Sequence, residues 1–211
     1  MNVAEKEKIN DLLRIPLMEL ISRANKVRAK FFDSKLELCN IINAKSGLCA
    51  QDCKFCAQSQ KSSTKVETYS LKSKEEIIKA AHQAKEIGAE KFGIVTSGNS
   101  LTPGELKEIT EAVSYIKNEI KIDICVSLGA LGKDELLMLK EAGLERYHHN
   151  IETSPRFYKQ IVSTHDFSQR INTIKAAKEV GLGVCSGGII GMGETWQDRI
   201  DMALILNDLG V

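Results

Sequence analysis

The feature that most constrains this chain is a unit that recurs along it: a capped helix with an apolar stripe, a glycine stop, then a brief apolar run. Ser73 and Glu76 stand at the spacing of a capping box, Ile77, Ala81, Ala84 and Ile87 recur at helical spacing, and Gly88 ends the helix before KFGIV. Thr102, Pro103 and Glu105 open the next helix, which carries Leu106, Ile109, Val113 and Ile116 and precedes KIDICVSL. KDELLMLKEAG with LERYHHN, then FSQRINTIKAAKEVG with LGVCSGGII, repeat the unit, and Thr195 with Asp198 opens a last helix. With LELCNII, Leu36 to Ile42, as the first strand, the pattern gives five strands. Helices that alternate with short apolar strands act as right-handed crossovers, so the strands lie parallel and the class is α/β. The expected organisation is a helical N-terminal extension over residues 1–34 and a barrel domain over 35–211, with no linker or low-complexity segment between the strands.

Two architectures satisfy that pattern, an open doubly wound sheet and a TIM-type (β/α) barrel. CSGGIIGMGE lacks the G-x-G-x-x-G spacing of dinucleotide-binding sheets, and no phosphate-binding P-loop is present. The chemistry-bearing residues fall at or just after strand ends: the cysteine loop after strand one, TSG after two, HNIETS after four and GGIIGMGE after five. Parallel barrels build their active sites from those loops. A complete eight-stranded barrel takes roughly 250 residues. A sixth strand is due about where NDLGV ends, so the expectation is a barrel truncated after about five strands.

The 211 residues are 43% hydrophobic and 27% charged, an ordinary globular balance with enough apolar side chain for a sizeable core. A net charge of +1 supplies no basic surplus for a nucleic-acid partner. MNVAEKEKINDLLRIPLMELISRANKVRAKFF has no unbroken apolar stretch, and no later run approaches the roughly 18 apolar residues of a membrane span. The expectation is a cytoplasmic protein with neither membrane nor nucleic acid as partner.

Six cysteines without a secretion signal point to metal or redox chemistry rather than a disulfide framework. SGLCAQDCKFCAQSQ places Cys49, Cys53 and Cys56 within eight residues. A structural zinc site wants four ligands, commonly as two separated pairs. A four-iron cube held by three cysteines keeps one iron open for a substrate or cofactor, which gives the count of three a chemical sense. Zinc and reactive thiols are the alternative readings of the same spacing.

The loop resembles the cluster motif of radical S-adenosylmethionine (SAM) enzymes. NAKSGLCAQDCKFCAQS, YHHNIETSP and CSGGIIGMGET, in this order, resemble the biotin synthase family along nearly the whole chain. The resemblance implies that Cys49, Cys53 and Cys56 hold a [4Fe–4S] cluster whose open iron binds the amino and carboxylate groups of SAM. One electron, from a flavodoxin- or ferredoxin-like donor, then breaks the sulfonium C–S bond to give methionine and a 5'-deoxyadenosyl radical. It also implies that Phe55 flanks the adenine, that Ser97 and Gly98 meet the SAM amino group, and that Asn150 and Glu152 contact the ribose, Glu152 replacing a more usual aspartate. Gly187, Ile189, Gly191 and Glu194 fit the family's G-x-I-x-G-x-x-E pattern, whose backbone supports the adenine, and Arg170 is a candidate for the SAM carboxylate. On the residues alone, Arg170 also reads as a solvated helix charge and the glycines as tight turns.

The family converts dethiobiotin to biotin by removing two hydrogens and inserting one sulfur, and its full-length form is expected to be a homodimer. Its sulfur donor is an auxiliary iron–sulfur cluster, [2Fe–2S] in most members, held in the best-known ones by three strand cysteines and an arginine. Cys125 and Cys185 match two of these cysteines; the third falls on Gly93, which cannot ligate iron. Cys39, on the first strand, is either a replacement ligand or a plain core thiol. His148 replaces an asparagine that faces dethiobiotin in similar proteins, and His149 matches a family histidine; neither has a partner at zinc-ligand spacing, and His82 and His165 carry no signal. Two competing readings remain: another radical SAM barrel enzyme without sulfur insertion, and a cluster-binding fragment without turnover.

Overall fold

Strand order follows chain order. β1 (Cys39–Lys45), β2 (Lys91–Thr96), β3 (Asp123–Ser127), β4 (Arg146–His148) and β5 (Gly183–Cys185) pair side by side, each parallel to the next. The computed structural model describes residues 9, 11–32 and 34–211. Contacts divide the chain into two units, Met1–Glu37 and Leu38–Val211. The first contains the helix α1 (Leu17–Phe31); the expected helical extension also covers residues 1–8, 10 and 33, which lie outside the described residues.

Between the strands run α2 (Lys74–Glu86), α3 (Pro103–Tyr115), α4 (Lys133–Glu141), then α5 (Pro155–Ile161) with α6 (Phe167–Glu179), and α7 (Trp196–Asp208) follows β5. The capping boxes form: Ser73 accepts from the Glu76 amide, Thr102 from Glu105 and Thr195 from Asp198. Each such cap satisfies amides that helix geometry leaves without partners, a contribution of about 1 kcal/mol. Strand boundaries differ from the sequence pattern in the fifth strand, where only Gly183–Cys185 of LGVCSGGII is strand, and in the first. The first strand runs Cys39–Lys45 rather than Leu36–Ile42, because pairing with β2 begins at Cys39↔Lys91 and carries the polar residues Asn43 and Lys45 into the ladder. Leu36 and Leu38, apolar enough to suggest strand, stay exposed.

Side chains alternate across the sheet, and the two faces have different neighbours. Phe92, Ile94, Ile124, Val126 and Tyr147, none more than 1% exposed, pack under the helices with Ile77, Ala81, Leu106, Ile109, Leu136 and Leu139. The opposite face, the inner wall of the partial barrel, carries Ile41, Gly93, Cys125, Arg146 and Gly183 in one register row. Cys39 lies one row toward the strand starts, aligned with Lys91 and Asp123, while Cys185 aligns with His148 toward the strand ends. The architecture is thus an α/β barrel wall truncated at five strands, with the loops that follow the strands gathered at one end. Among the described residues no helix is long and apolar enough to cross a membrane.

Candidate functional site

The cysteine loop leaves β1 through Gly47 at φ 76° and Leu48 at φ 54°. A side chain at position 47 would put its Cβ 2.4 Å from the Thr68 hydroxyl oxygen, so this turn requires glycine. The loop then closes on itself: the Cys49 amide donates to Gln58 O at 3.0 Å, Gln60 N to Cys49 O at 2.9 Å and Cys56 N to Cys53 O at 3.0 Å. Gln58 Oε1 accepts from both the Ser46 hydroxyl and the Gly47 amide, fixing the far side. Ser97, at the end of β2, donates from Oγ to Gly47 O at 2.8 Å and ties the second strand to this turn.

Cys49, Cys53 and Cys56 line one pocket of about 250 Å³, together with Phe55, Ser97, Gly98, Asn150, Glu152 and Arg170. Residues from the regions that follow β1, β2 and β4 therefore meet, as the barrel geometry requires. Burial pushes the Cys53 thiol up to about 11, Arg170 opposes the shift, and the thiolates of Cys56 and Cys49 add to it. Crowded thiolates repel, and a bound cationic centre reverses that cost, so the donor set fits a metal cluster. Among the described residues no three Cys, His, Asp or Glu side chains converge to hold one bare ion. Three sulfurs set around a pocket suit a polynuclear iron–sulfur centre, in which each thiolate takes its own iron.

Glu152 sits at φ 69°, a strained conformation for a residue with a side chain. The turn is held by the segment after β5: the Glu152 amide donates to Gly187 O at 3.1 Å and the Ile189 amide to Glu152 O at 2.9 Å. Glu152 Oε1 lies 3.4 Å from Arg170 Nη1, whereas Oε2 is buried with no partner among the described residues. Burial raises the Glu152 pKa, against the lowering by Arg170 and by a hydrogen bond from Asn150. An unpartnered buried acceptor facing a pocket is a place for a ligand's hydroxyl groups.

Arg170 is not a solvated helix charge. Its side chain is 13% exposed, and it donates from Nε to Tyr158 Oη at 2.7 Å and from Nη1 to Asn150 O at 2.9 Å. His165, which belongs to no motif, lines the same pocket: Nδ1 lies 3.0 Å from Gln51 Oε1 and Nε2 lies 3.4 Å from Arg170 Nη2. Gln51 and Ser127 are further lining residues that no motif marked. His149 is buried, and its pKa is pushed down to about 3 by burial and then by Arg170, so it is neutral and its unpartnered Nε2 is available to a ligand.

Gly187, Ile189, Gly191 and Glu194 do not line the pocket; the first two act on it through their backbone contacts with the Glu152 turn. Glu194 accepts from the amides of Gly191 and Met192, both at 2.8 Å, and from Arg199 Nε at 2.8 Å, bonds that draw its pKa down to about 2. It is a staple of the loop before α7. Cys39, Cys125 and Cys185 lie outside the pocket on the inner wall. Burial pushes the Cys125 thiol up to about 11, with Cys185 and Cys39 adding to the shift and Arg146 opposing it. A Cβ at Gly93 would meet Ile41 Cγ1 at 3.1 Å, so Ile41 covers the space that a third strand cysteine would use.

The sequence pattern of the Radical SAM superfamily matches residues 45–206. The chain is 50% identical over 204 residues to a biotin synthase of Thermotoga petrophila, a match covering 97% of this chain and 67% of that protein. It is 49% identical over 194 residues to a biotin synthase of Aquifex aeolicus, covering 91% of this chain and 58% of the relative. The chain therefore spans about three fifths to two thirds of the length of these relatives. Methylornithine synthase has the same fold in its crystal structure, with a TM-score of 0.82 at 23% identity over 96% of this chain and 60% of that one. A radical SAM protein works with a [4Fe–4S] cluster and SAM, and the cluster loop at the end of β1 lies inside the matched region. With half its residues shared across nearly its whole length, the chain belongs to the biotin synthase family of the radical SAM superfamily.

Proposed function

We propose that this chain, with residues 1–34 as a helical extension and 35–211 as the barrel domain, carries the SAM-binding part of a cytoplasmic biotin synthase that converts dethiobiotin to biotin. The observation that carries the reading is the convergence of three thiols with Phe55, Asn150, Glu152 and Arg170 on one pocket, above an inner wall bearing Cys125 and Cys185. When bound, the cluster and SAM supply the radical chemistry needed to break unreactive C–H bonds. Cys49, Cys53 and Cys56 hold the cluster; Phe55 packs against the adenine, Asn150 and Glu152 take the ribose hydroxyls, and Ser97 and Gly98 receive the amino group. Arg170, held by Tyr158 and Asn150, presents its guanidinium toward the SAM carboxylate. Gly187, Ile189, Gly191 and Glu194 hold the backbone that fixes Glu152 and supports the adenine.

Cys125 and Cys185 are the ligands of the sulfur-donating cluster, with Cys39 in place of the thiol that Gly93 lacks. His148, in the same register row as Cys185, faces dethiobiotin. A flavodoxin- or ferredoxin-like protein delivers the electron, and the full-length protein is a homodimer. Gly93 favours one second reading, a radical SAM enzyme of this barrel type that inserts no sulfur. Anaerobic reconstitution with iron and sulfide counts, Mössbauer spectra and assays of SAM cleavage and biotin formation separates the two. Cys49→Ala, Cys53→Ala or Cys56→Ala is expected to abolish reductive SAM cleavage, and a variant with full activity sinks the assignment. SAM cleavage without biotin formation, with iron at the loop alone, supports the second reading.

A further inference from the structure

Asp52 stands between Cys49 and Cys53 but does not line the pocket. Its carboxylate instead collects four donors from one short segment 111 and 112 residues away: the Ser163 amide at 2.9 Å, the Ser163 hydroxyl, the Thr164 amide at 3.1 Å and the Thr164 hydroxyl at 2.9 Å. The Asp52 amide donates back to Thr164 Oγ1 at 3.2 Å, and Lys54 N donates to Ile161 O at 3.0 Å. These bonds hold the carboxyl well below the usual carboxylate range, those from Ser163 being the largest cause. The segment they grip joins α5 to α6. It carries His165, which bridges Gln51 of the cluster loop to Arg170 at the start of α6.

We propose that Asp52 is a positioning residue: it latches the cysteine loop to Ser163 and Thr164 and thereby sets where Arg170 and Glu152 stand relative to the three thiols. The inference rests on the reading of this pocket as the SAM site. The loop of residues 49–56 has no helix or strand of its own, so its registration against the opposite wall comes from the Asp52 bonds together with the backbone bond from Lys54 N to Ile161 O. A latch attached elsewhere on the barrel would make the loop rigid. Attached here, it also sets, through His165, the distance between the thiols and the Arg170 guanidinium. Supporting groups of this kind typically change affinity or activity about 10- to 100-fold when removed.

The test compares the parent chain with Asp52→Ala, Asp52→Asn and the double variant Ser163→Ala/Thr164→Val, which strips the hydroxyl donors from the other side and leaves Asp52 in place. Each is reconstituted anaerobically and measured for iron content, SAM dissociation constant, and the change that SAM produces in the electron paramagnetic resonance spectrum of the reduced cluster. In the Asp52→Ala chain the iron content is expected to stay at the parental level, because the three thiols remain. SAM binds about 10- to 100-fold more weakly and its spectral change is lost or reduced. Asp52→Asn, which keeps an acceptor for the two amides, falls between parent and alanine, and the double variant reproduces the weakening. In the metal-free chain, amide hydrogen exchange at Lys54, Ser163 and Thr164 speeds up in Asp52→Ala. Parental SAM affinity and spectral change in both Asp52→Ala and the double variant overturn the proposal. If Asp52→Ala does not fold, the double variant alone decides. A parent that binds SAM but makes no biotin counts against the proposed function and leaves the latch standing.

Discussion

Glu152 sits where local strain and the pocket coincide. A left-handed residue with a side chain costs about 1–3 kcal/mol, and such strain persists only where neighbours over-determine it. Here the neighbour is Gly188: a Cβ there would stand 2.4 Å from the Glu152 carbonyl oxygen and 2.3 Å from Met202 Sδ. The thioether can swing aside, but the backbone carbonyl cannot. Gly188→Ala is therefore expected to cost about 1–3 kcal/mol of stability, read as a lowered Tm, and to weaken SAM binding by displacing Glu152. A variant with parental Tm and affinity removes the clamp from the account. Glu194 gives a pH test. Its folded pKa, about 2, lies below the ordinary value of 4.5, so the stability it contributes is present above about 4.5 and is lost as pH falls toward 2. Glu194→Gln should flatten the acid-induced loss of Tm in that window, and an unchanged slope counts against the staple. The three loop cysteines were legible in the sequence because ligand spacing is local. His165 was not, because what brings it to the pocket is the Asp52 latch and the placement of α6, both of them long-range.

Helices were the most legible elements, since a cap and a stripe lie within a few residues of each other; the Ser73, Thr102 and Thr195 caps sit where the sequence puts them. Strand ends were less so, because pairing decides them: β2 draws Asn43 and Lys45 into β1 and leaves Leu36 and Leu38 outside. The shift matters for Cys39. As the first residue of β1 it shares the inner face with Cys125 and Cys185, and it acts electrostatically on Cys125, although it is itself exposed in this five-stranded sheet. Cys39→Ser in the full-length protein is expected to lower auxiliary iron content and biotin yield while leaving SAM cleavage at the loop cluster largely intact. Equal loss at both centres, or at neither, removes Cys39 from the ligand set. Ile41→Ala is the paired control on the same strand face: it uncovers Gly93 without touching any thiol, so its iron content should stay parental.

At the scale of the whole molecule, the sheet governs behaviour. β1 and β5 each pair on one side only among the described residues, so each presents a row of backbone donors and acceptors without strand partners. Parallel sheets ordinarily have both faces covered, and a long free edge is a template for another chain. The edge at β1 is also apolar, with Leu38 at 50% and Ile41 at 64% exposure on or beside it, and only toward its end is it partly covered, where Lys72 N donates to Ala44 O and Tyr69 pairs with Ser46. The core beneath the helices is complete enough to fold: Phe92, Ile94, Ile124, Val126 and Tyr147 are sealed by α2 to α4 whether or not further strands are present. The two tendencies combine into one expectation, that the 211-residue chain folds its helical layer but associates through its strand edges. Light scattering after size-exclusion chromatography should therefore show concentration-dependent species larger than one chain. Replacing Ile41 with Lys, which puts a charge at the apolar β1 edge, should shift the distribution toward monomer. A parent chain that stays monomeric at every concentration and unfolds in one sharp cooperative transition would show that the free edges carry no such cost.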